Sequence, residues 1–89
     1  MMRITFLGTG TSTGIPLIGC ECDTCQSKDE KDKRLRASVL VETQDARLLI
    51  DAGPDLRQQL LKHTVSRLDG ILVTHEHYDH IGGLDDVRP

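Results

Sequence analysis

Three of the chain's four histidines and an aspartate fall within six positions, as His75, His77, Asp79 and His80. Four specified residues at fixed spacing in so short a window arise by chance in on the order of one chain in ten thousand, given the rarity of histidine. If the backbone stays extended on leaving a strand, His75 and His77 point to the same side and their imidazoles converge on one ion. Asp79 and His80 follow as the chain turns and aim at a second, neighbouring point. Imidazole with carboxylate suits Zn²⁺, Mn²⁺ or Fe²⁺, whereas a Ca²⁺ or Mg²⁺ site would be mostly oxygen. Four adjacent ligands on one loop argue for two divalent ions, Zn or Mn, rather than one. The competing reading, exposed polar residues at a strand end, gives no reason for this spacing. Gly82 and Gly83 weaken a helix after the cluster and fit close approach of the backbone to a ligand or a neighbouring loop.

A second set of ligand-type residues lies earlier. Cys20, Cys22 and Cys25 have the spacing C-x-C-x-x-C, which lets three thiolates converge on a tetrahedral zinc with one position left over. Free or redox-active thiols are the alternative, since spacing alone does not prove a metal. Three cysteines, an odd number within six positions, do not make a disulfide framework, and a reducing cytoplasmic setting fits them better.

The elements that must carry these residues follow from periodicity. Arg3 to Leu7 alternates with the two-residue period of a strand, Ile4 and Phe6 sharing one face. A stretch of turn formers, Gly8-Thr9-Gly10-Thr11-Ser12-Thr13-Gly14, then leads through Pro16 and Gly19 to the cysteines. Its glycine spacing departs by one residue from a dinucleotide-binding fingerprint, and no helix opens after it, so it is read as a flexible turn lining the metal site, with Thr and Ser free to bind phosphate. Between Gln26 and Arg36 the chain is almost wholly charged and reads as a solvated helix or loop without a binding role. Ser38–Glu42 and Arg47–Ile50 form a hairpin about Thr43 to Ala46. Pro54 opens a helix that places Leu56, Leu60 and Leu61 on one face and runs to about His63, which caps it or faces solvent and is not assigned as a ligand. Ile71–Val73 reads as a buried strand feeding the histidine loop, and Ile81, Leu84 and Val87 suggest a last helical turn or two. The mixed order indicates an α/β or α+β layer.

Composition limits the partners. The chain has 89 residues, 37% of them hydrophobic, with one Phe, one Tyr and no Trp, so at most one domain with a core of Leu, Ile and Val is expected. A net charge of -3 gives no global positive field toward nucleic acid or anionic lipid. No apolar run reaches the roughly 18 residues needed to cross a bilayer.

The segment Thr74-His75-Glu76-His77-Tyr78-Asp79-His80-Ile81-Gly82-Gly83 resembles the HxHxDH motif of the metallo-β-lactamase superfamily. Asp51, closing Leu48-Leu49-Ile50-Asp51-Ala52-Gly53, is similar to that superfamily's first motif, and Leu7-Gly8-Thr9-Gly10-Thr11-Ser12 to its first strand and loop. Ile18-Gly19-Cys20-Glu21-Cys22-Asp23-Thr24-Cys25 resembles the PhnP-type branch, the phosphoribosyl cyclic phosphodiesterases.

This resemblance implies an α+β fold, the αββα sandwich, of which residues 1–89 would be the N-terminal portion. It implies that His75 and His77 bind the first metal, Asp79 and His80 the second, and that Asp51 braces the loop from behind. A metal-activated hydroxide would attack phosphorus, with Asp79 also orienting it. Cys20, Cys22 and Cys25 would hold a structural zinc whose fourth ligand, a downstream histidine, this chain does not contain. The expected substrate is a small or cyclic phosphodiester, with a second copy in a homodimer left open. A tRNA 3′-end endonuclease is the enzymatic alternative, disfavoured by the acidic charge. A non-catalytic, zinc-stapled fragment is the other. Because the family's remaining ligands come later in the chain, the sequence is expected to be a truncated portion that lacks part of its active site.

Overall fold

A computed structural model describes residues 1–87; Arg88 and Pro89, the end of the expected 1–89 segment, lie outside the described residues. In chain order the elements are β1 (Arg3–Gly8), α1 (Asp23–Gln26), β2 (Ser38–Glu42), β3 (Arg47–Ile50), α2 (Leu56–Lys62), β4 (Gly70–Leu72) and α3 (Tyr78–Ile81), with 3₁₀ turns at Glu30–Asp32 and Leu84–Asp86. The strands form one sheet in sequence order. β1 and β2 are antiparallel, as are β2 and β3, while β4 lies parallel to β3. It follows that β1, β3 and β4 all run the same way and release the chain at one edge. Each chemically marked loop begins there, as ligand loops do at the carboxyl ends of parallel strands.

Register sorts the side chains into two faces. Thr5, Leu40, Leu49 and Ile71 stand in one row across the sheet. This face meets α2, and Leu7, Leu40, Leu49, Ala52 and Leu56 form the buried core with Leu60, Val65, Leu68 and Ile71 packed on it. Fully burying a leucine such as Leu49 contributes roughly 1.5–3 kcal/mol, so a helix of seven residues is held by its packing rather than by propensity. Phe6, Val39, Ile50 and Leu72 make the opposite row, with Ile4, Val41 and Leu48 beside it. No described helix covers that face, and Phe6 is 69% exposed. One helix layer on one sheet is half of the αββα architecture.

Several expectations need correction. β4 is not a buried strand, since Leu72 and Val73 are exposed. It lies at the sheet edge, with one strand neighbour and one covered face. Helix α2 starts at Leu56 rather than at Pro54, which sits in the preceding turn closed by the Leu56 N–H on Gly53 O (3.1 Å). Asp55, at the N-cap position, makes no capping bond because its carboxylate is turned to Arg36. His63 does stand at the helix C-cap and is exposed.

The segment from Gln26 to Arg36 is mostly exposed as far as Arg34, but its end is structural. Gly10 bridges to Arg36 and Ile15 to Arg34, so the glycine loop is stitched to 34–36 rather than flexible. A Cβ at Gly10 would stand 2.8 Å from the carbonyl oxygens of Arg34 and Leu35, which explains why position 10 carries no side chain.

Candidate metal centre

The site is organised from the end of β3. Asp51 follows the last β3 residue in the left-handed region (φ 66°), a conformation that Asp tolerates better than bulky residues and that turns its carboxylate toward the histidine loop. Its backbone stays tied to β4 through Asp51 N–H to Leu72 O (2.8 Å), and Ser38 Oγ donates to its carbonyl (2.8 Å). Asp51 is only 5% exposed. A carboxylate so placed must be fully partnered, and it is. The Thr74 N–H donates to Oδ1 (2.8 Å), while the Thr74 hydroxyl (2.8 Å) and His80 Nδ1 (2.6 Å) meet Oδ2. Burial alone would raise the acid's pKa, but the Thr74 N–H, the His80 contact and the Thr74 hydroxyl together hold it below the ordinary carboxylate value.

These contacts fix how the histidines present themselves. With Nδ1–H given to Asp51, His80 directs Nε2 away from that acid, and the atom lies 2.9 Å from Asp79 Oδ2. The Thr74 hydroxyl spends its proton on Asp51, so its oxygen accepts from His75 Nδ1 (3.0 Å) and leaves His75 Nε2 as the free lone pair. Asp51 thus sets two imidazoles, one directly and one through Thr74. The His75 ring centroid lies 4.0 Å from that of His80 and 4.6 Å from that of His77. His77 is the N-cap residue of α3, whose first turn carries Asp79 and His80. The four residues singled out by spacing are therefore neighbours in space, and imidazole with carboxylate is a donor set that could hold borderline divalent ions.

Backbone packing holds the loop in place. Ala52 N–H donates to His80 O and Gly83 N–H to Ala52 O, each at 2.9 Å. A Cβ on Gly53 would collide with the Asp79 carbonyl, and one on Gly83 with the Gly53 carbonyl. Gly83 thus meets the expected close approach to a neighbouring loop. The Gly82 position faces the Tyr78 ring instead.

Cys20, Cys22 and Cys25 have sulfurs within 4.8 Å of one another, among the described residues the one set of three or more ligand atoms gathered so tightly. All three are free thiols. The turn Leu17–Cys20, closed by Cys20 N–H to Leu17 O (3.0 Å), delivers the first, and α1 the third. The Cys25 N–H points at Cys22 Sγ (3.4 Å) and the Leu17 N–H at Cys25 Sγ (3.5 Å), donors that favour thiolate. The Cys25 N–H, with bonds from Cys20 and Cys25 sulfurs, lowers the Cys22 thiol from 9.0 to about 7. At Cys25 the Leu17 N–H acts downward, but the Cys20 sulfur, burial and Cys22 prevail and raise it. Three sulfurs fit a tetrahedral zinc that takes its fourth donor from elsewhere.

Thr74, Asp55 and Arg36 were not singled out by the sequence. A hydroxyl residue directly before the first histidine was the available signal for Thr74. The other two act over long sequence separations and left none.

Residues 46–89 match a family described as a beta-lactamase superfamily domain. The chain is 54% identical, over 98% of its length, to an octanoyltransferase of Porphyromonas gingivalis, of which it spans 18%. Among solved structures, a diphosphatase from the PhnP family superposes on all of the chain with a TM-score of 0.97 and 50% identity, 35% of that protein being covered. Zinc-bound PqqB from Methylobacterium extorquens superposes on 94% of the chain with a TM-score of 0.77 and 28% identity, over 32% of its own length. The chain therefore spans about a third or less of each of these relatives.

Proposed function

We propose that this chain, which belongs to the metallo-β-lactamase superfamily, supplies the histidine-loop part of a metal-dependent hydrolase that cleaves phosphoric ester bonds. The observation that carries this reading is that buried Asp51 holds His80 Nδ1 directly and His75 Nδ1 through Thr74, which leaves both Nε2 atoms to a metal, beside Asp79 and His77. His75 and His77 would hold one divalent ion, Asp79 and His80 a second, and Cys20, Cys22 and Cys25 a structural zinc. Ions bound in such a site polarise phosphoryl oxygens and bring the pKa of water toward neutrality. Asp79 would also orient the attacking water. Asp51 keeps His80 in the tautomer that offers Nε2.

The favoured substrate is a small phosphodiester, cyclic or linear, acted on in a cytoplasmic setting, with a second copy of the protein as an open partner. Likeness to a PhnP-family diphosphatase supports a second reading in which the bond cleaved is a phosphoanhydride. Both place an electrophilic phosphorus at the same ligands. The octanoyltransferase name belongs to a chain of which this one spans 18%, and the histidine loop gives hydrolysis the stronger claim here. A net charge of -3 gives RNA the weakest.

The test is hydrolysis of bis-p-nitrophenyl phosphate, a cyclic ribose phosphate and a dinucleoside diphosphate by the intact protein loaded with Zn²⁺ or Mn²⁺. Turnover of either of the first two, abolished by His77→Ala, is the expected result. Turnover of the diphosphate alone moves the reading to the phosphoanhydride. Inactivity of folded, metal-loaded protein toward all three overturns it.

A further inference from the structure

The charged segment before β2 ends in a clamp that the metal centre does not account for. Arg36 donates from its backbone N–H to Asp55 Oδ2 and from Nη1 to Asp55 Oδ1, both at 2.9 Å, and from Nε to the Ser12 carbonyl at 2.9 Å. Its own carbonyl accepts from Gln59 Nε2 at 3.0 Å. One residue thus ties two positions around α2 to the turn that follows β1. The ion pair is half-buried, Arg36 and Asp55 side chains being 31% and 13% exposed. A two-point grip of this kind fixes direction as well as distance.

The clamped turn and the metal loop leave the sheet at the same edge. Gly8 pairs with Ser38, whose Oγ bonds the Asp51 carbonyl, so the turn leaves the sheet two strands, or about 10 Å, from the residue that sets the histidines. Thr9, Thr11 and Ser12 are exposed on the turn. Arg34 Nη1 donates to Thr9 Oγ1 at 2.8 Å, which occupies that oxygen as an acceptor and leaves its O–H to donate outward.

We propose that Arg36 is a positioning residue: through Asp55 and the Ser12 carbonyl it holds the Thr9–Ser12 turn as a hydroxyl-bearing wall that binds the phosphate group of a substrate placed on the histidine loop. The assignment rests on the hydrolase reading for its substrate, but the wall itself is read by anion binding. Arg36 touches no reacting atom. Its effect passes through the turn.

The experiment uses the intact, metal-loaded protein with inorganic phosphate as probe, followed by hydrogen–deuterium exchange and steady-state kinetics on bis-p-nitrophenyl phosphate. In the unaltered protein phosphate is expected to slow exchange across Thr11–Thr13. Asp55→Asn is expected to remove that protection and raise KM about fivefold or more with kcat within about twofold and metal content unchanged, the pattern of a lost ground-state contact. Arg36→Lys, which keeps the backbone N–H on Asp55 and a cation, should fall between. Should Asp55→Asn fail to fold, Thr9→Val removes the outward hydroxyl together with its bond from Arg34 and should raise KM in the same way, while Thr9→Ser, which keeps both, should not. Unprotected Thr11–Thr13 amides in the presence of phosphate, or a Thr9→Val variant with unaltered KM and phosphate affinity, overturn the assignment. If the unaltered protein hydrolyses no ester yet phosphate protects the turn, the hydrolase reading fails and the wall stands.

Discussion

Asp51 and His80 lie 29 residues apart in the chain and 2.6 Å apart in space, and both are largely withdrawn from solvent. The contact joins the end of β3 to the turn of α3, so the strand order of the sheet is what sets the ring. An imidazole placed on an exposed loop by propensity alone would rotate freely about two side-chain torsions. Here a buried acid, itself held by Thr74 and by the ladder to β4, removes that freedom before any ion arrives.

Asp51→Asn separates the charge from the backbone, because Asn also tolerates the left-handed conformation that this position adopts. The fold should survive. The amide nitrogen would face one of the donors now directed at the carboxylate, and metal affinity at the histidine loop is expected to fall about 10- to 100-fold. Competition with a chromophoric chelator measures this, and unchanged affinity would show that Asp51 does not set His80.

Thr74 extends the same control to His75 through a hydroxyl 2.8 Å from Asp51 Oδ2 and 3.0 Å from His75 Nδ1. Thr74→Val keeps the β-branched shape and deletes that link, while Thr74→Ser retains it. Valine is therefore expected to weaken the first metal by roughly tenfold, the low end of such losses, and serine to restore most of it. Equal affinities in the two variants would refute the relay.

The hairpin of β2 and β3 falls where two apolar runs flanking a short polar stretch placed it, because strand pairing between neighbours in sequence leaves a local pattern. His75, His77, Asp79 and His80 were legible for a different reason: ligand chemistry demands rare residue types at close spacing. Arg36 was not, since its meaning lies in Asp55 and Ser12, 19 and 24 residues away, and a charged run by itself reads as solvated surface. Leu72 shows the converse. An apolar triplet looks buried in sequence, yet whether a strand is central or at an edge is decided by topology.

Gly53 and Gly83 are where two backbone segments touch, so adding one carbon to either must move the metal loop. Gly53→Ala is expected to cost about 2 kcal/mol or more, the upper range for overpacking against unyielding backbone. Gly70→Ala is the control, since its nearest neighbour is the flexible Leu48 Cδ2 at 3.2 Å. Urea unfolding midpoints of the intact protein compare the two, and equal losses would contradict the close approach.

Cysteine substitutions should separate the two metal sites. Cys22 accepts the Cys25 N–H and caps α1, so Cys22→Ser keeps a capping oxygen while removing one of three thiolates. Zinc measured by atomic emission is expected to drop by one ion per chain, with the ions of the histidine loop retained. Thiolate-to-Co²⁺ absorption in the cobalt-loaded protein should weaken in parallel. Full zinc content in Cys22→Ser would mean that the three thiols do not act as one ligand set.

The uncovered sheet face offers a test that depends on what surrounds it. Phe6 stands in a row with Val39, Ile50 and Leu72, and in the chain itself 69% of it meets solvent. In an αββα sandwich this row is the one that packs on the second sheet. Phe6→Ala should then cost about 3 kcal/mol or more in the intact protein, as for a buried aromatic. In an isolated 1–89 segment the same change should cost under about 1 kcal/mol, because little packing is lost there. The isolated segment should also bind a hydrophobic dye, and do so less after Phe6→Ala. Equal costs in the two contexts would mean that this face is solvent-exposed in the intact protein too.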